Sequence, residues 1–361
     1  MKKWILSLCM ILSLVACKEE KKQEAQVEVK PVVKIGVSLP LTGDIAYMGQ
    51  ALKGAVLVAE QQLKENDNLK NKYEFIIEDN AYNTKNVIAI NNKFVYSDKV
   101  NAIVDFASSP GLVTSQFAQK NKVIHINTGS SDRNVANGEY NFSHTTLPDM
   151  EAKVLVRDIL SNYKNVALVV LNEASGVAAA AEMVKEMDAH NIKYTQYVVN
   201  DGEKDMRVLI DKMEQNNPDI YVVTLYSPNF DVLYKQMKEK GVNKPITSTN
   251  FMDLVNNLSM LPDGTEWVTY PSPEPVIREK ILEANKGITT SELCVGNIYD
   301  AVMMVVEAFE YGHDNEGALK YLNNLKSFKG VYGDVAVTDG ILNVPAIRKV
   351  LKDGKPVEVK D

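Results

Sequence analysis

The chain reads as an α/β protein made of two doubly wound lobes in tandem. Three observations predict this. Short apolar runs rich in β-branched residues recur at 32–39, 73–78, 102–106, 123–126, 166–171, 194–199 and 219–225, as expected of parallel strands buried on both faces. Segments with apolar residues at helical spacing separate them, the alternation of a βαβ sheet. The alternation breaks after residue 132 and resumes near 150, so two units of similar size follow one another with a cleft expected between them.

The first residues stand apart. Lys2 and Lys3 precede an apolar run at 4–14. That run is shorter than the roughly 20 apolar residues of a membrane-spanning helix and suits a signal peptide. It ends in Leu14-Val15-Ala16-Cys17, which resembles the bacterial lipobox and implies cleavage before Cys17 and lipidation of its thiol. Residues 1–17 are then a lipoprotein signal, and 18–31, rich in Lys and Glu, a flexible tether.

The body follows in order. A strand at 32–39 enters a loop holding Pro40, Gly43 and Gly49. A helix at 50–66 places Ala51, Ala55, Val58, Ala59 and Leu63 on one face. A strand at 73–78, a helix at 83–97 and a strand at 102–106 come next. A helix at 112–121, with Leu112, Phe117 and Ala118 toward the sheet, leads to a strand at 123–126. Residues 133–148 read as irregular. The second unit alternates helices at 150–160, 176–191, 206–216 and 229–240 with strands at 166–171, 194–199, 219–225 and 245–249. Beyond it lie a strand at 268–270, a turn-rich 271–275, helices at 299–311 and 316–326, and short strands within 328–350 punctuated by Gly330, Gly333 and Gly340.

Two successive strands end in hydroxyl-rich loops, at Ser108-Ser109 and at Thr128-Gly129-Ser130-Ser131. Open α/β sheets bind ligands outside the carboxyl ends of their strands. Both loops therefore fall on one side of one cleft, offering hydroxyls and N–H groups to a small polar molecule.

Composition narrows the class. A net charge of −7 argues against nucleic acid as a partner. Of three cysteines, Cys9 falls in the signal and Cys17 carries the lipid, leaving Cys294 without a disulfide partner. The four histidines are scattered and show no metal-binding spacing. No nucleophile elbow, CxxC or phosphate-binding loop is present. The expectation is a binding protein, not an enzyme, with neither cofactor nor metal.

Seven stretches in order then resemble a known family. They are IGVSLPLTGDIAYMGQALKGA, EDNAYN, DFASSPGLVTS, INTGSSD, NDGEKDMRVLIDKMEQNNPDIYVV, GNIYDAVMMVVEAF and FKGVYGDVAVTDGI. The chain resembles the type I periplasmic solute-binding proteins of ABC importers, in the branched-chain amino acid branch and in lipoprotein form. The resemblance implies two lobes joined by three crossover segments, with ligand enclosed on hinge closure. Lobe 1 would be 32–147 with 275–329, and lobe 2 148–274 with 330–361. It implies that Ala107, Ser108, Thr128, Gly129 and Ser130 hold a ligand carboxylate, with Tyr47, Ser175, Tyr226, Asn250 and Tyr299 completing the site. Position 250 departs from the family. Amino acid binders usually carry an acid there for the ligand's ammonium, and asparagine brings no counter-charge. Unless Asp253, Asp300 or Glu173 substitutes, leucine, isoleucine and valine are expected to bind weakly, and amides or acids without an amine become candidates. The implied function is capture of a small polar ligand (amino acid, amide or carboxylate) outside the inner membrane and delivery to ABC permease subunits. The protein would be a membrane-anchored monomer, periplasmic or at the cell surface. The alternative is a sensing receptor subunit of the same fold.

Overall fold

A sheet with the order of a doubly wound domain opens the body in the computed structural model, which describes residues 30–289 and 291–359. The signal, lipobox and Cys17 lie outside the described residues. Strands β1 (Val32–Leu39), β2 (Lys72–Asp79), β3 (Ala102–Phe106), β4 (Ile124–Thr128) and β5 (Asn141–Thr145) run parallel in the order 2-1-3-4-5. Helices α1 (Ala46–Lys64), α2 (Thr84–Asn92) and α3 (Ser108–Asn121) connect them. Every residue of β3 and β4 is buried; β3 is a mostly apolar run, while β4 carries His125, Asn127 and Thr128 among its isoleucines.

The second unit repeats the scheme. After α4 (Pro148–Val154), strands β6 (Asn165–Leu171), β7 (Lys193–Val199), β8 (Ile220–Thr224) and β9 (Ile246–Ser248) form a parallel sheet in the order 7-6-8-9. Helices α5 (Ala174–Ala189), α6 (Arg207–Gln215) and α7 (Asn229–Glu239) connect these strands. Strand order thus reverses between β1 and β3 in one sheet and between β6 and β8 in the other.

The late segments return to both lobes. Beyond β10 (Glu266–Thr269), helices α8 (Pro275–Ala284), α9 (Val295–Gly312) and α10 (Asn315–Asn324) lie with the first lobe, where α9 packs on α1. Strands β11 (Ser327–Gly330), β12 (Gly333–Thr338) and β13 (Ile341–Asn343) extend the first sheet. Their link to it is β13, which pairs parallel with β5. Only β14 (Ile347–Lys352) and β15 (Lys355–Glu358) go to the second lobe, as an antiparallel ribbon beside β10. The expectation that everything after 330 belongs to lobe 2 is therefore corrected. Val331, Val335, Leu342 and Val344 bury in the first core, and Leu351 in the second.

Two other elements were not anticipated. Strand β5, NFSHT, is largely polar, yet all five residues are buried, and its asparagine, histidine and threonine find distant partners. Asn141 meets His125 at 3.0 Å, and His144 meets Asn297 at 2.9 Å. Helix α8 follows a turn-rich stretch whose last proline, Pro275, stands in its first turn, where proline is tolerated.

The chain crosses between lobes near 146, 271 and 345, and the crossings are tied together. The Thr145 and Tyr270 hydroxyls meet at 2.9 Å. The Leu147 N–H donates to Asn343 Oδ1 at 2.9 Å, and the Val344 N–H to the Thr145 carbonyl at 2.8 Å. The lobes also touch at the far side of the cleft. Ile45, from the loop before α1, is buried in the second core, and Tyr47, Tyr82 and Leu254 pack against both. Among the described residues no helix is long and apolar enough to cross a membrane.

Candidate functional site

The two reversals of strand order face each other across a cleft, and the loops beside them supply its walls. From the first lobe come Ile45 after β1, Tyr82 after β2, Phe106 and Ala107 at the end of β3, and Gly129 and Ser131 after β4. Leu293 and Cys294 join them just before α9. The second lobe contributes Ser175 after β6, Tyr226 after β8, and Asn250, Phe251 and Leu254 after β9. Together they line a nearly closed cavity of about 40 Å³. Most of this lining is apolar or aromatic, and among the described residues none of it is Lys or Arg.

Backbone strain gathers here. Tyr82, Ala107 and Cys294 all adopt left-handed φ angles, of 54°, 74° and 59°. Each such non-glycine residue costs on the order of 1–3 kcal/mol and persists only where its surroundings enforce it. At Ala107 the enforcement is visible. Its N–H donates to the Thr128 carbonyl at 2.9 Å, and its own carbonyl accepts from the Gly111 N–H at 3.1 Å. The turn starts α3 at once, so the N–H groups of Ser108 and Ser109, which lack intrahelical acceptors, open the helix at the cleft. Helix α9 likewise begins at the cleft wall, directly after Cys294. Helix N-termini favour anions. Gly129, at φ 66°, leaves no room for a side chain. A Cβ there would stand 2.7 Å from Phe106 and 2.8 Å from Cys294 Sγ.

Five of the expected site residues line this cleft: Ala107, Gly129, Ser175, Tyr226 and Asn250. The other five are placed differently. Ser108, fully buried, accepts from the Ser131 N–H and the Ser130 hydroxyl, each at 3.1 Å. Ser130 also bonds within its loop, accepting from the Asp132 N–H at 3.0 Å. The Thr128 hydroxyl donates to the Asp105 carbonyl at 2.9 Å. These three shape the loops from behind. Tyr47 spans the lobes, its hydroxyl donating to the Leu254 carbonyl at 2.7 Å. Tyr299 lies on α9 with its hydroxyl on Gln62 of α1, inside lobe 1. Sequence reasoning missed Ile45, Tyr82, Phe106, Ser131, Phe251, Leu254, Leu293 and Cys294. Ser131 and Tyr82 do stand within or just after the quoted loop motifs.

The acids around the cleft divide by their partners. Asp300 accepts from the Val331 N–H and lies 3.3 Å from His144, within lobe 1. Asp253 accepts from Trp267 Nε1 at 3.0 Å and from the Thr269 hydroxyl. Glu173 bridges the lobes. Its Oε1 accepts from Tyr82 at 2.9 Å and from Ser109 at 2.6 Å, while Oε2 accepts from the Ser175 hydroxyl and N–H. Burial, with the Glu173 charge adding, pushes the Tyr82 and Tyr226 hydroxyls well above the usual tyrosine range, so both stay protonated. Burial likewise pushes the Cys294 thiol up.

Known proteins share this construction. A leucine-binding protein of Thermotoga maritima superposes with a TM-score of 0.80 at 18% identity, over 91% of this chain and 98% of that one. An ABC transporter solute-binding protein of Rhodopseudomonas palustris, in complex with 3,4-dihydroxybenzoic acid, superposes at 0.77 and 18% identity over 91% and 96%. In sequence, a Leu/Ile/Val-binding protein homologue of Brucella abortus is 28% identical over 223 residues, spanning 60% of each chain. The profile of the periplasmic binding protein family matches residues 32–346, from the first strand to the last crossing between lobes. With its paired sheets, facing switch points and enclosed cleft, the chain belongs to the periplasmic binding protein family.

Proposed function

We propose that the protein is the solute-binding subunit of an ABC importer, anchored outside the inner membrane by lipid on Cys17. It captures a small ligand bearing a carboxylate and an apolar body, closes over it, and presents it to permease subunits. One observation carries this reading: an enclosed cleft, lined on both sides by strand-end loops, is held shut by hydrogen bonds between the lobes, at Glu173 and at Tyr47. On the lobe 1 side, the N-terminus of α3 supports a carboxylate, because ionised acceptors form the stronger bonds with preorganised N–H groups. The apolar body rests among Ile45, Phe106, Phe251, Leu254 and Leu293. The leucine-binding and dihydroxybenzoate-bound neighbours fit the same description of an acid with an apolar body.

A thermal-shift screen of the chain from residue 18 tests it, using amino acids, short amides, and aliphatic and aromatic acids. Ligand at a hundredfold excess over Kd stabilises the native state by about 2.7 kcal/mol. At least one solute in the screen raises the melting temperature. A flat response across all four groups overturns the proposal.

A further inference from the structure

One carboxylate beside the cleft has no role in lobe closure. Glu151 stands on α4, just past the first crossing between lobes, and is fully buried. Its Oε1 accepts from the backbone N–H of Asn250 at 3.0 Å, and Asn250 lines the cleft. Its Oε2 has no partner among the described residues. Two hydroxyls on the same two segments are also unpartnered there, Thr146 Oγ1 and Thr249 Oγ1. Segments 146–151 and 249–250 thus bring three orphan polar atoms to the place where Asn250 enters the cleft. Each orphan costs about 1–3 kcal/mol, and buried polar atoms in native proteins are nearly always satisfied. A polar group arriving here would satisfy them.

Charge says which kind. None of the described lining residues is cationic, and the nearby charges are acids. Asp253 already accepts from Trp267 and Thr269, and Lys349 reaches it at 3.5 Å. A second ligand carboxylate at this wall would face only like charge. A primary ammonium brings three donors and no acceptor, matching the orphan oxygens in number.

We propose that Glu151 is the specificity residue that receives the primary ammonium of an amino acid ligand, from beside the position where Asn250 replaces the expected acid. This rests on the solute-binding role proposed above. With the carboxylate at the α3 end of the cleft and the ammonium at Glu151, a zwitterion spans the two lobes. Burial pushes the Glu151 carboxyl well above the usual range. Nearby Asp253 adds to this, and the Asn250 N–H works against it. Tyr270 and Cys294, the other titratable groups in its field, are neutral. Burial thus favours the protonated form of Glu151 in the free protein. On binding, its O–H bond breaks, the proton leaves to buffer, and the carboxylate pairs with the ammonium.

The test is calorimetric titration of the chain from residue 18 and of its Glu151→Gln variant. The probes are leucine and phenylalanine, with their deaminated counterparts 4-methylpentanoate and 3-phenylpropanoate, in two buffers of different ionisation enthalpy. In the unsubstituted protein at least one amino acid binds roughly tenfold or more tighter than its counterpart, the worth of one charge-assisted bond. Its binding also releases up to about one proton per ligand. In the variant, the preference and the proton release both collapse. Equal binding of acid and amino acid by the unsubstituted protein overturns the inference, as does a preference that survives Glu151→Gln. If neither amino acid binds, the inference also falls. An aliphatic or aromatic acid that still raises the melting temperature then leaves the proposed function standing. Should the variant not fold, the unsubstituted protein's preference and proton release decide the matter alone.

Discussion

The Tyr82 hydroxyl donates to Glu173 Oε1 at 2.9 Å and so joins the first lobe to the second across the cleft. Tyr82 holds a left-handed φ of 54°, and Glu173 caps α5 through the Ser175 N–H, so neither partner is a freely moving surface group. Tyr82→Phe removes this bond and little else. Ligand affinity should fall roughly 3- to 10-fold, within the range for a bond to a charged acceptor. Most of that loss should appear in the dissociation rate. Stopped-flow dissociation from the variant checks it, and an unchanged rate would show that closure does not depend on this bond.

Gly129→Ala should abolish ligand binding. The new Cβ meets Phe106 and Cys294 below 3 Å, in a backbone conformation side chains rarely adopt. Overpacking of this kind costs about 1–3 kcal/mol. The melting temperature should drop by several degrees, roughly 2–4 °C per kcal/mol, and the screen should go flat. Full retention of binding would place the ligand away from this loop.

Glu151 should make stability fall as pH rises. Its folded-state pKa lies above the ordinary value near 4.5. The unfolded chain therefore gives up this proton first, and the native state loses ground from about that pH upward until the raised pKa is reached. Glu151→Gln removes the effect. Relative to the unsubstituted protein, the variant's melting temperature should gain a few degrees between pH 4.5 and pH 7. A gap that does not change with pH would contradict the buried, protonated acid.

Asp79 works in the opposite sense. Burial raises its pKa, but the Thr42 hydroxyl and the N–H groups of Ala81, Leu41 and Thr42 outweigh that and hold it below the usual 3.8. Its contribution is present above that value and disappears as pH falls through the depressed one. These bonds fix the loop that carries Ile45 and Tyr47. Asp79→Asn should therefore weaken ligand binding at neutral pH and blunt the loss of stability between pH 5 and pH 3. Calorimetric melting at the two pH values reads it directly. An equal fall in both proteins would remove Asp79 from the account.

Cys17→Ser should release the protein from membranes. Fractionation would find the unsubstituted chain in the membrane pellet and the variant in the soluble fraction, or retained with its signal uncleaved. Equal membrane association after correct processing would rule out the lipid anchor.

Much of the fold was legible because strands buried on both faces must be apolar. Strands β3, β6 and β8 have that character, and their positions follow from it. Strand β5 does not, since its polar side chains find partners as distant as Asn297, which no local pattern announces. The same limit governs the site. Sequence marks Ser108 and Ser130 as strand-end hydroxyls. The partners of each hydroxyl are the Ser131 N–H and the loop's own groups, and neither serine is among the lining residues. Tyr299, assigned to the site through the resemblance, lies instead within lobe 1. Helix α9 begins at Val295, a full turn earlier than the pattern indicated, and carries Tyr299 against Gln62 of α1. Cys294 and Leu293 reach the cleft from far along the chain, a placement only the tertiary fold supplies.

The knotted crossings at Thr145, Tyr270 and Val344 carry one further consequence. Three cords fastened side by side resist twisting and sliding more than bending, so the two lobes behave like covers on a common spine. On the proposed function, solute capture would change essentially one angle, and one distance would measure it. Fluorophores on exposed positions of the two covers, such as Lys85 and Lys185, would turn solute concentration into an optical signal.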